Sequence, residues 1–158
     1  MSHDVLSRRF STLENAAQKL NSESDSLKKY ISDFEEKLRS LRLGLEVWLE
    51  EPLNEDDPAV PVEYRGMDMA GRLEKSLGFA KGPKNWELRI RYTKLVIDPE
   101  TESWVVAEAK EMRLLDAPRG DRIAAAAVFP RLLDELTGAA EAAVSAIGRA
   151  RKRARDSK

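Results

Sequence analysis

Leu6, Phe10, Leu13, Ala17, Leu20, Ser24, Leu27, Ile31, Phe34, Leu38 and Leu41 follow one another at alternating steps of four and three. An α-helix brings residues at those separations to one side, so the eleven positions form a single stripe with Ser24 as its one polar member. No Gly or Pro interrupts residues 2–43. The pattern predicts a helix over about 4–41, roughly 55 Å long at 1.5 Å per residue. Asp4, or Ser2 before it, is placed to cap the first turn. A helix of that length outruns a small sheet, so its stripe needs another helix to cover it.

The C-terminal segment offers one. Asp116 is a suitable cap, and Pro118 fits a first turn, where its missing N–H is not needed. An alanine-rich helix is predicted from there, over about 117–155, with Pro130 expected to kink it. Phe129, Leu133, Leu136, Ala140, Ala143, Ile147, Ala150 and Ala154 repeat the four–three spacing, and ten alanines lie between Asp121 and Ala150. Packed antiparallel, the helices would set a bulky seam against a small one. The candidate interface is Leu6, Phe10, Leu13, Leu20, Leu27, Ile31, Phe34 and Leu38 with Leu133, Leu136, Ala140 and Ile147. Spacing alone leaves open whether that seam closes within one chain or between two.

Between the helices the apolar period falls to two, the signature of strands. Leu41, Leu43, Leu45, Val47 and Leu49 alternate, with Gly44 a natural place for the change of direction. An acidic loop over about 50–61 follows, broken by Pro52, Pro58 and Pro61. Arg72–Lys81, Trp86–Ile97 and Ser103–Leu115 are further strands, separated by the turn signals KGPKN and DPETES. A shift of phase near Lys110 predicts a bulge. In the second of these strands Trp86, Leu88, Ile90 and Tyr92 take the core face, leaving Arg89 and Arg91 to solvent. The expected architecture is α+β, one domain over 1–158. A long N-terminal helix leads into a four-stranded antiparallel meander over about 42–115, and a kinked C-terminal helix packs back on the first as a helical hairpin on a sheet.

Composition removes several chemistries. The chain has no cysteine and one histidine, His3, so thiolate catalysis, disulfides and Cys- or multi-His zinc sites are out of reach. The acidic sets Glu55–Asp57 and Asp98, Glu100, Glu102 lack the ligand pattern of a calcium loop and read as solvated loop charge. RGD at Arg119–Asp121 reads as coincidence at a helix start. No cofactor is expected. The first residues lack the apolar core of a signal peptide and no run suits a membrane span, so a cytoplasmic setting without membrane partners is expected.

Charged residues make up 35% of the chain but the net charge is only -1, so distribution matters more than total. Six of the last ten residues are Lys or Arg. In a hairpin, Arg149, Arg151, Lys152, Arg153 and Arg155 would share one tip with Arg8 and Arg9. That tip is a candidate anion or nucleic-acid contact; the simpler reading is a solvated helix end whose cations offset the helix dipole. The functional expectation is therefore a non-enzymatic interaction or assembly protein that self-associates as a homodimer through its helices, with a further protein partner compatible with it. Nucleic-acid association through the basic tip comes second. An enzyme without a recognisable motif comes third.

Overall fold

The computed structural model describes residues 3–54 and 58–157. Ser2, the acidic residues 55–57 and Lys158 lie outside the described residues. Helix α1 (His3–Ser40) is unbroken over 38 residues. It ends where Arg42 and Gly44 adopt left-handed backbone conformations, φ 50° and 62°, which turn the chain out of the helical path.

Among the described residues five strands follow in place of the expected four, and all pair antiparallel. They are β1 (Val47–Trp48), β2 (Val60–Tyr64), β3 (Met67–Lys81), β4 (Trp86–Ile97) and β5 (Trp104–Arg113). The expected first strand shrinks to two residues, and β2 falls where the sequence suggested only loop. Pro61 masked β2, since proline cannot donate to a ladder; here it stands exposed. Arg65 and Gly66, both at positive φ, make the two-residue turn into β3. β3, β4 and β5 form the meander, with β1 on the other side of β3. The bulge lies at Lys94/Leu95, where Ala107 of β5 is left unpaired, three residues before the expected position.

The helices gather on one face of this sheet. Leu77 and Phe79 of β3, Leu88 and Ile90 of β4, and Val47 of β1 meet Ile31 and Leu38 of α1. A 3-10 turn (Leu114–Asp116) leads to α2 (Arg119–Ala127) and α3 (Phe129–Asp156). Asp116 therefore sits in the turn and caps no helix; Pro118 is the residue before α2. The kink expected at Pro130 is a break two residues earlier, at Val128 (φ -107°, ψ 9°). Proline removes one backbone donor and crowds the carbonyl four residues before it, here that of Ala126, so the helix restarts with Pro130 in the new first turn. Ala125, Phe129, Leu132 and Leu136 complete the core.

The helical hairpin is realised at its root alone. There, Phe34 and Tyr30 of α1 stack on Phe129 with ring centroids 4.2 and 5.8 Å apart, and Arg119 Nε donates to Ser24 Oγ at 3.3 Å. Beyond the root α3 leans on β1, where Arg131 pairs with Glu51. The distal seams of the two helices do not cover one another: every residue from His3 to Glu23 is exposed, as are 144–157.

Candidate functional site

The most unusual surface is the outer part of α1. Seam residues Ile31, Phe34 and Leu38 are covered by the chain's own sheet and helices, and Leu27 is half-buried. The same stripe then runs out into solvent: Phe10 and Leu13 are each 61% exposed, Leu20 48% and Leu6 46%, with Val5 beside them. Isolated exposed apolar residues are ordinary, but a continuous stripe at heptad spacing is the mark of a helix seeking a partner. The composition adds to this. Ten of the 24 residues from His3 to Ser26 are Ser, Thr, Asn or Asp, all weak helix formers. Local support is slight: an exposed Asp4–Arg8 pair at 3.6 Å and a Thr12 hydroxyl bonded to the Arg8 carbonyl.

The outer part of α3 differs. Of its seam residues, Leu136 is buried in the core, Ala140 is half-buried, and Leu133 and Ile147 are exposed. Arg149, Arg151, Lys152, Arg153 and Arg155 are all exposed, and none makes an ion pair among the described residues. They do not join Arg8 and Arg9 in one patch, because the helices part above their root. Like charge at both tips opposes closure of the hairpin.

Two polar clusters root these helices. The Glu35 carboxylate, 1% exposed, accepts from Arg39 at 2.9 Å, from Arg113, and from the Leu88 backbone N–H at 3.0 Å. β5 pairs no further than Arg89, so Leu88 N–H has no strand partner and the helix supplies one. Glu35 stands four residues after Ile31 and four before Arg39, a placement the seam pattern passed over. The second cluster is Asp121 in the first turn of α2: it accepts from Tyr92 Oη at 2.6 Å and Lys75 Nζ at 3.0 Å. Burial first, then the bond to Asp121, pushes the Tyr92 hydroxyl well above its usual range. Asp121 is thus a latch between helix and sheet, and RGD is no exposed tripeptide.

Beside Glu35 lies a concavity of about 500 Å³ lined by Arg39, Lys84, Glu87, Arg89, Arg113 and Asp116, among others. Its guanidinium groups are largely committed to acids of the same chain. Arg89 meets Glu87 at 2.7 Å, and Arg113 Nε stands 3.2 Å from Glu87, in ion-pair range but misaligned for a hydrogen bond. The open face of the sheet is similar: Arg72, Arg89 and Arg91 pair with Glu74, Glu87 and Glu111. Trp86 and Tyr92 pack on the core as expected, but Trp48 and Trp104 join the arginines on the open face. Trp48 is filled on both sides, by Arg91 at 3.8 Å from its ring centroid and by Gly78, where any Cβ would overlap the indole. It is not a free stacking platform.

Among the described residues no group of three or more His, Asp or Glu could hold a metal ion, and no helix is long and apolar enough to cross a membrane. Comparison with known protein families, with curated proteins and with solved structures finds no match to this chain.

Proposed function

We propose that this is a non-enzymatic assembly protein that self-associates as a homodimer, in a cytoplasmic setting, through residues 3–26 of α1. The observation that carries the reading is the seam itself, covered by its own chain from Ile31 to Leu38 and bare from Leu20 outward. Full burial of a Leu or Phe side chain contributes about 1.5–3 kcal/mol. Four such residues per copy, each about half exposed, contribute about half that figure apiece, and twice over in a dimer they make a gain of the size that ordinary association needs. The weak helix propensity of the same segment supports the reading too, because helices in water owe most of their stability to packing. Sedimentation velocity of the full chain and of Leu13→Asp tests it. The reading expects a concentration-dependent dimer that the substitution disperses. A species of 17.8 kDa at every concentration would remove it.

A second reading has its own observation: the five cations at the end of α3, none of them ion-paired among the described residues. Association with nucleic-acid phosphates would be strongly salt-dependent. Fluorescence anisotropy with short duplex and single-stranded oligonucleotides at two salt concentrations checks it, and absence of binding at low salt excludes it.

A further inference from the structure

We infer that two copies of α1 pair antiparallel along residues 3–26, about a two-fold axis beside Glu14 and Ala16. The inference rests on the assembly reading above and names its geometry. Orientation follows from the body of the protein. The stripe bearing Leu6 to Leu20 continues, with a drift of about 20° per heptad, to Ile31, Phe34 and Leu38, where α2 and the sheet already occupy the space in front of it. A parallel partner in register would bring its own body to the same level and the same side, so both bodies would have to fit between two touching helices. An antiparallel partner puts the bodies at opposite ends.

Register follows from the length of the bare segment. The partner's first turn can advance only until it meets the body, which begins at half-buried Ser24, whose hydroxyl Arg119 of α2 already reaches, and is closed at Ile31, 0% exposed. Full use of the seam up to that limit sets Leu13 opposite Ala17 of the second copy, Phe10 opposite Leu20, and Leu6 opposite Ser24. Each layer places a larger side chain against a smaller one, as close helix packing requires. One heptad step further in, Leu6 would have to enter the space in front of Ile31.

The flanking positions of this register can be read in turn. Arg9 meets Glu23 of the second copy, and two-fold symmetry makes that pair twice. Ala16 meets Ala16 at the axis, where two methyl groups let the backbones approach. Glu14 meets Glu14, a single like-charge contact. A parallel alignment would instead pair Arg9 with Glu14 and Glu23 with Lys28, so charge accepts a second copy either way and the body decides the direction.

The absence of cysteine makes cross-linking clean. Arg9→Cys, Glu23→Cys and Glu14→Cys change exposed positions of the full-length chain, and a short bismaleimide reports which pairs lie close. The expected result is that Arg9→Cys mixed with Glu23→Cys couples at least about fivefold more than either variant alone, that Glu14→Cys couples to itself across the axis, and that the mixed Arg9–Glu14 product stays minor when those two variants are combined. Independently, Glu14→Gln should tighten the dimer about twofold by removing the like-charge contact. A dominant mixed Arg9–Glu14 product, a weakening by Glu14→Gln, or no coupling in a chain that still sediments as a dimer overturns the antiparallel register while leaving self-association standing. A monomer that couples nowhere overturns both.

Discussion

Two helices leave the same sheet and solve the problem of standing in water differently. The outer part of α3 is rich in alanine and arginine, good helix formers that need no cover, and it ends in cations near the negative pole of the helix dipole. The outer part of α1 is built from Ser, Asn, Thr and Asp around a stripe of Leu and Phe. Its propensity is poor and its apolar side is large. The contrast teaches that spacing, which the two helices share, does not decide which one is suited to make contacts. The size of the seam residues and the intrinsic stability of the helix around them do.

The sharpest way to break that contrast is to place the same charge on each stripe. Phe10→Asp with Leu13→Asp should abolish association and lower helical circular dichroism at 222 nm, while Ile147→Asp on α3 should leave both nearly unchanged. Equal effects would erase the distinction. Next in size is the root that both helices share. Phe129→Ala removes the ring on which Tyr30 and Phe34 stack and should cost about 3–5 kcal/mol in urea unfolding. A loss below 1 kcal/mol would mean that the root is not a common support.

Smaller again is the Glu35 cluster, which holds α1 alone. Glu35→Gln should cost about 2 kcal/mol, because Arg39 and Arg113 lose a charged acceptor and both remain partly solvated. The inner turns of α1 should then exchange amide protons faster, with α3 unaffected. The smallest effect lies in the sheet, apart from both helices. Backbone N–H groups of Glu100 and Thr101 and the Tyr64 hydroxyl hold the Asp98 carboxyl below its ordinary range. A depressed carboxyl pKa stabilises the fold above the unfolded value near 3.8, and that contribution is lost as pH falls through the folded value. Asp98→Asn should therefore flatten the acid limb of stability against pH and change nothing in association. An unaltered acid limb would show that Asp98 is not what the acid titrates.

Much of this was legible in the residues. The heptad spacing gave α1 to within one residue at its start, because no tertiary contact competes with it there. Strands β4, β5 and the part of β3 from Arg72 onward followed from alternation, though β3 begins at Met67, and Leu88 and Ile90 took the core side as their period required. What escaped depended on contacts distant in sequence. β2 is held by its hairpin with Met67–Gly71, which overrode the proline signal. Glu35 lies off the seam, and its role shows only once Arg113 and the Leu88 N–H stand beside it. The direction of α3 depended on a break at Val128 that the kink rule located two residues late. In the candidate surface, spacing identified the stripe but could not divide it into the part its own sheet covers and the part left bare.

The central claim is that residues 3–26 of α1 are the contact between copies. Amide hydrogen exchange of the full-length chain, followed peptide by peptide at two widely separated protein concentrations, tests it most directly. Protection over 3–26 should rise severalfold at the higher concentration, while 31–40 and the sheet stay constant. Protection over 3–26 that does not change with concentration would contradict it.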